Sequence, residues 1–353
     1  SNMRHYLASL ITGALALAAP WAQAQSSTVD ADSVVRHYGV LVQAGYEDTL
    51  AAALELQKAT LAFLNQPGAA ALEAARAAWR AAREPYGQTE AFRFYGGPID
   101  DDKGPEGRLN AWPLDESYID YVKGKPKAGI VADRKVSITK ASLARLNERG
   151  GEENIAAGWH AIEFLLWGQD VGADGPGNRS FEDYVDGKTP NADRRRQYLV
   201  VVTELLIDDL RYLVAAWAPG STNYRARFER GGQESLRRII VGLGSLSRGE
   251  LAGERMEVAL NTQDQEDEHS CFSDNTHRDI VNNALGIENV WLGRYVRRDG
   301  STLQGASLRA LVAGKAAELA ERVTKQIAGS VGAARAIQAP YDQEIIGGND
   351  APG

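Results

Sequence analysis

The 353-residue chain carries 47 acidic against 39 basic side chains, a formal net charge of -8 with no basic stripe, which argues against nucleic acid and leaves a cationic partner open. Its single cysteine, Cys271, excludes an intramolecular disulfide. From Met3 the sequence reads MRHYLASLITGALALAAPWAQAQ, in which Arg4, the apolar stretch from Leu7 to Ala19 and the small-x-small site Ala22-Gln23-Ala24 make a secretory signal peptide. Residues 1–24, with Ser1 and Asn2 ahead of the Met, are therefore set apart as a leader. The expectation is export across an inner membrane to the periplasm, with outer-membrane association left open. No Cys follows the cleavage point, so a lipoprotein anchor is not expected. No later segment reaches about 18 apolar residues, so no transmembrane segment is expected either.

About 330 residues remain, enough for two domains or one large one. Apolar residues at spacings of three and four predict a helix over 34–64, which Asn65-Gln66-Pro67-Gly68 breaks, and a second helix over 69–83; together they read as a hairpin. The stretch FYGGPIDDDKGPEGRLNAWPLDESYIDYV follows, with Gly and Pro preventing regular structure through most of it. Its aromatic content argues for an ordered loop with a function. Further helices are predicted over 194–217, 224–243, 251–260, 276–291 and 303–328, and no run of strand alternation is found. IEFLLWG at 162–168 has a counterpart in IENVWLG at 287–293, pairing Glu163 with Glu288 but His160 with Leu285. The fold class expected is all-α: two up-and-down, four-helix-bundle-like halves, related by duplication, with a cleft between them. The expected domains are 25–189, carrying the long loop, and 190–353.

The segment GWHAIEFLLWG, residues 158–168, sets a His and a Glu into an otherwise apolar helix. His160 and Glu163 are three apart, hence on one face, where a carboxylate is costly unless paired or bound to a cation. They form a candidate metal pair, set against the plainer reading of a core His bonded to a carboxylate one turn along. Neither H-E-x-x-H nor its inverse is present. Among the other acids, Glu90 and Asp115 lie among aromatic and apolar neighbours, where a carboxylate can point inward. The run Asp100-x-Asp102-x-Gly104-x-Glu106 is faintly like a calcium loop but lacks the positions of an EF-hand. In QDQEDEHSCFSDNTHRD, His269, Cys271 and His277 are potential ligands at a spacing that fits no standard zinc site. There the alternative is a surface stretch with Asp274 or Asn275 capping the next helix. Arg93, Asp267, His269 and Cys271 are carried forward with Gly158 as candidate cleft residues.

These blocks together resemble the imelysin-like family, also called peptidase family M75. GWHAIEFLLWG is similar to the family's G-x-H-x-x-E motif. PYGQTEAFRFYGGPIDDDKGPEGRLNAWPLDESYIDY, EDEHSCFSDNTHRDI and the ending PYDQEIIG look like other family blocks, so the resemblance covers most of the chain after the leader. It implies a two-bundle all-α fold, a cleft faced by the motif, and a role in iron acquisition by Gram-negative bacteria. It makes His160 and Glu163 the ligands, with Gly158 allowing close approach. A related iron-uptake branch suggests Glu90 and Asp115 as further ligands, although the insert between Asp115 and His160 is much longer here.

One imidazole with carboxylates suits iron, manganese or zinc. The leading expectation is a periplasmic protein that binds one metal ion near the cleft, with iron as cofactor or cargo and an iron-uptake membrane component as partner. The family name alone is not taken to imply catalysis. Two alternatives stay open: a zinc metallopeptidase in which His269 joins His160, or a binding protein for an organic ligand such as a siderophore or haem.

Overall fold

The computed structural model describes residues 29–172, 175–337, 339 and 341–346. The signal-peptide stretch lies outside the described residues. Helix α1 (Ala31–Asn65) starts where the Asp30 side chain accepts from the Ser33 amide, and buries one stripe that includes Val35, Tyr38, Val42, Tyr46, Leu56 and Phe63. After the Pro-Gly turn it packs against α2 (Ala69–Thr89), which runs one and a half turns past the expected 69–83 and carries Pro85 internally. The hairpin expected from the sequence is present.

Four short helices, α3 (Glu106–Leu109), α4 (Glu116–Ile119), α5 (Gly129–Ala132) and α6 (Lys140–Leu146), interrupt the long connection to α7 (Trp159–Trp167). The connection is ordered by its apolar side chains, since Leu109, Leu114, Ile119, Val131 and Leu143 all enter the main core. Helix α8 (Ala192–Trp217) lies against α1 and α7.

The helix expected over 224–243 is two, α9 (Tyr224–Glu229) and α10 (Gly232–Ser245), split at Gly231 and Gly232, the latter at φ 52°. Beyond α10 the chain continues in wider π-type turns over Leu246–Glu257 and then α11 (Val258–Thr262). Helix α12 (Thr276–Leu292) packs on α2 and on α14 (Ala317–Ala336), with α13 (Leu308–Ala313) before it and α15 (Tyr341–Ile346) after it.

The single helix expected over 303–328 is instead α13 and α14 preceded by a strand, and that strand belongs to a hairpin of β1 (Arg294–Val296) and β2 (Thr302–Gln304), paired antiparallel with Tyr295 opposite Leu303. Three residues per strand are too few for alternation to register.

Among the described residues the fold is all-α apart from that hairpin. Helices on both sides of residue 189 share the main core, which runs from Val34 to Ala320, while a smaller cluster joins Ala259, Ile280, Val281, Ala284, Val331 and Ala334. The two similar segments have different settings. IEFLLWG makes most of the nine-residue α7 and buries Glu163, whereas IENVWLG closes the longer α12 and leaves Glu288 half-exposed.

Candidate metal centre

Helix α7 is held at the middle of the core. Gly158, its N-cap, sits at φ 91°, and a Cβ there would lie 2.5 Å from the carbonyl oxygens of both Arg108 and Leu109, so only glycine lets those two backbones touch. All nine helical residues are buried. The Trp79 indole donates to the Trp159 carbonyl at 3.0 Å and the Tyr184 hydroxyl to the Leu165 carbonyl at 2.5 Å. With its backbone pinned from two sides, the helix presents His160 and Glu163 on one face, Nδ1 to Oε1 at 2.9 Å.

The segment before α12 brings the second imidazole. His269 Nε2 lies 3.2 Å from His160 Nε2, and the two rings stand edge to face with centroids 4.6 Å apart. Each ring is backed by a carboxylate at its other nitrogen: Glu163 behind His160, and Asp279 behind His269 at 2.6 Å. Ser273 fixes Glu163 by donating to Oε2 from its amide at 2.9 Å and its hydroxyl at 2.6 Å. Asp279 is held by the Ser270 hydroxyl and, at 2.9 Å, by the Arg83 guanidinium from α2. The Thr276 hydroxyl donates to the His269 carbonyl. Trp112 covers the pair, its ring centroid 4.8 Å from that of His160 and 6.2 Å from that of His269.

The protonation states follow from these surroundings. Burial, helped by Arg83, drives His160 well below the usual imidazole range, and burial with Arg255 brings His269 down to about 4, so both rings are neutral at pH 7. Burial raises Glu163 to about 8 against the opposing hydrogen bonds from Ser273, so its carboxyl is protonated. At Asp279 burial is outweighed by Arg83 and His269, and the carboxyl stays ionised. One direction of donation satisfies every group: Glu163 to His160 Nδ1, His160 Nε2 to His269 Nε2, and His269 Nδ1 to Asp279.

Removing the Glu163 proton changes this chain. His160 then donates from Nδ1 to Glu163, and two Nε2 lone pairs face each other at 3.2 Å, a repulsive arrangement unless a cation lies against both. Adjacent nitrogen donors with bonds of about 2.1 Å to one ion are separated by about 3 Å, so the pair fits a single metal ion. Each ring donating its remote N–H to a carboxylate is the support expected of metal-binding histidines.

The other predicted site residues fall in different places. Glu90 is buried but committed: Oε1 accepts from Arg93, Asn110 and Arg255, Oε2 accepts from Asn283, and these guanidiniums offset burial to bring it down to about 2. It reaches the centre only through the Asn110–Arg83–Asp279 relay. Asp115 caps α4, accepting from the amide and hydroxyl of Ser117, and no hydrogen bond joins it to either imidazole. Cys271 is a buried thiol that burial keeps protonated, and His277 is half-buried outside the pair. The calcium-like run does not converge, since Asp100 accepts from the Phe94 amide, Asp101 from the Lys103 amide, and Glu106 pairs with Arg93. Asn275 holds the N-cap position of α12 without a side-chain cap bond.

A cavity of about 670 Å³ reaches the pair from the His269 side, lined by Trp112, Asn110 and His269 with Arg93, Arg255 and Asp267. Seven carboxylates border it against two guanidiniums, which favours entry of a cation. Asp279, Arg83, Ser273 and Trp112 were not singled out from the sequence.

The chain was compared with known proteins. The family model described as Imelysin matches residues 42–352. Iron-regulated protein A of Synechococcus elongatus is 28% identical over 316 residues, covering 86% of this chain and 75% of that protein. Among solved structures, a protein described as an iron-regulated protein A precursor from Parabacteroides distasonis superposes with a TM-score of 0.67 at 20% identity, covering 90% of this chain and 89% of that one. An imelysin-like protein from Psychrobacter arcticum gives 0.60 at 11% identity, covering 88% and 86%. Both structural likenesses concern the fold.

Proposed function

The chain belongs to the imelysin family, and from that premise we propose that it is a periplasmic protein that captures one iron ion on His160 and His269. The observation that carries this reading is the 3.2 Å approach of two neutral Nε2 atoms, each ring backed by a buried carboxylate. The acidic cavity supplies a route for a cation, and the name of the Synechococcus relative ties that protein to iron. Two imidazoles with Glu163 close by form a borderline donor set that suits Fe(II) and also accepts Mn(II) or Zn(II). The signal-peptide-like start is what supports a periplasmic location.

The chemistry is binding coupled to proton release. Glu163 holds a proton in the free protein and gives it up when both rings turn their Nε2 lone pairs to the ion, so the charge of the pocket rises by one on binding Fe(II) and not by two. A zinc peptidase would also use two histidines, but it needs a carboxylate beside the ion to activate water. Here Glu163 and Asp279 are both occupied behind the rings, and Glu90 is locked by arginines, which favours capture over hydrolysis.

The test is loading of the full chain separately with Fe(II), Fe(III), Mn(II) and Zn(II), with His160→Ala and His269→Ala beside it and hydrolysis of denatured casein followed in parallel. One equivalent of iron retained by the parent and lost by both variants, without turnover, is the expected result. Retention by either variant removes the paired-imidazole site, and chelator-sensitive hydrolysis favours the peptidase reading.

A further inference from the structure

Ser273 holds Glu163, and the next residue opens a second cluster. Asp274 takes left-handed backbone at φ 55°, and its carboxylate joins those of Asp170 and Asp342: one oxygen from each lies within 4.8 Å of the other two. Calcium–oxygen bonds are about 2.3–2.6 Å, so any two oxygens on one calcium ion lie within about 5 Å of each other. The separation therefore permits the three to share one ion.

Asp170, Glu268 and Asp342 are buried and Asp274 is part-buried, and Asp170, Glu268 and Asp274 are poorly supplied with donors. Asp170 is 5% exposed, and neither its oxygens nor those of Asp274 make a well-formed hydrogen bond, the groups nearest Asp170 being the Asp274 carboxyl and the Gly172 amide. Glu268, 1% exposed, leaves Oε2 without a partner, and the groups that bear on it most after burial are Asp342, Asp274 and Asp170. None of Asp170, Glu268 and Asp274 has an ion pair with a described Lys or Arg, in contrast to the buried Glu90, Asp120 and Asp279. A buried carboxylate without donors or a counter-charge is costly, and Asp170, Asp274 and Glu268 bring three such groups together.

We propose that Asp170, Glu268, Asp274 and Asp342 form a second metal site, selective for a hard divalent cation and suited to calcium. The ligands are all carboxylate oxygens, which excludes the nitrogen and sulfur preferences of zinc and copper, and their crowding leaves little room for the water shell that magnesium keeps. Without the ion Asp274 holds a proton instead, since burial and the neighbouring Asp170 and Asp342 lift it to about 9. The ion ties three parts of the chain together. These are the residues just after α7, which carries His160, the 268–275 segment, which carries His269, and α15. Calcium there fixes the separation of the two imidazoles without touching either.

Calcium titration calorimetry and thermal melts of the full chain after EGTA treatment test this, with Asp170→Asn, Asp274→Asn and His160→Ala compared. The expected result is one calcium per parent chain and a Tm that rises with calcium. Binding should be weakened at least about tenfold in each Asn variant, since affinity follows ligand charge, and retained in His160→Ala. In EGTA, Asp274→Asn should melt at or above the parent temperature because a crowded acid has been removed, which separates lost binding from lost folding. No calcium heat with a flat Tm in the parent overturns the proposal and makes the cluster a set of proton-sharing carboxyls. Binding that survives both Asn variants, or that vanishes in His160→Ala, places the calcium elsewhere and equally overturns it.

Discussion

His160 and His269 are 109 positions apart in the chain, yet their Nε2 atoms face each other at 3.2 Å inside the core. The approach depends on groups that never meet an ion: Ser273 fixes Glu163, and Arg83 with Ser270 fixes Asp279. Metal affinity should therefore respond to the ring nitrogens and, less steeply, to the carboxylates behind them.

His269→Ala should lower iron affinity as much as His160→Ala, because each removes one of two nitrogen donors. Asp279→Asn keeps the shape but lets His269 change tautomer, and should cost roughly 10–100-fold, the range for residues that orient a metal-bound histidine. Chelator competition measures all three. Equal affinity for the parent and His269→Ala would remove His269 as a ligand and with it the paired-imidazole site.

Part of this was legible in the sequence. His160 and Glu163 stood out because a His and a Glu at helical spacing in GWHAIEFLLWG contradict their apolar surroundings, and local contradiction is what a sequence displays. The long helices were legible for the same local reason. His269 was visible only as a candidate, since its pairing with His160 is set by how α12 docks on α2, not by anything near residue 269. Glu90 and Asp115 were chosen for apolar neighbours, but neighbours in sequence do not reveal Arg93 and Arg255 closing on Glu90 or Ser117 occupying Asp115. The Asp170, Glu268, Asp274 and Asp342 cluster draws on three separated stretches, GQD, DEHSCFSDN and PYD, and no spacing rule connects them.

Iron binding should be proton-linked. Glu163, raised to about 8 by burial, is protonated at neutral pH and loses that proton on binding, so affinity should rise by about tenfold per pH unit up to about pH 8 and then level. Calorimetry at pH 7 in buffers of different ionisation enthalpy should report about one proton released per ion, and Glu163→Gln about none.

The same group sets how the free protein's stability varies with pH. The folded Glu163 binds its proton more tightly than the unfolded chain does, so its contribution is complete below pH 4.5 and is lost as pH rises through about 8. The two histidines act oppositely, with depressed values whose contribution is complete above pH 6.5 and is lost on acidification. Between pH 6.5 and 8 the Glu163 effect should dominate. Across that window the melting temperature of the parent should fall relative to Glu163→Gln, and parallel curves would show that Glu163 is ionised throughout.

Gly158→Ala should be among the more damaging single-methyl changes in the chain. It forces a non-glycine residue to φ 91° and drives a methyl to 2.5 Å from two carbonyl oxygens. Backbone strain of this kind costs about 1–3 kcal/mol, and the displaced 108–109 segment adds to it. Urea unfolding gives the loss directly. Gly187→Ala is the matched control, with a similar φ of 78° and nothing near its added methyl. A loss no larger at Gly158 than at Gly187 would mean that the contact with Arg108 and Leu109 relaxes freely.

Trp112 lies between the cavity and the imidazole pair, half-buried and within 4.8 Å of the His160 ring centroid, so it should report the ion and slow its exit. Paramagnetic Fe(II) or Mn(II) bound at the pair should quench its fluorescence, while Zn(II) should not. Trp112→Phe keeps an aromatic face on His160, and should lose most of that quenching while affinity changes by less than about tenfold, the size of an aromatic contact of about 1 kcal/mol. Trp112→Ala leaves the pair open to the cavity, so the ion should dissociate faster with association little changed. Stopped-flow chelator chase separates the two rates. Quenching that persists in Trp112→Phe would show that another indole, such as Trp159 beside His160, reports the ion in place of Trp112.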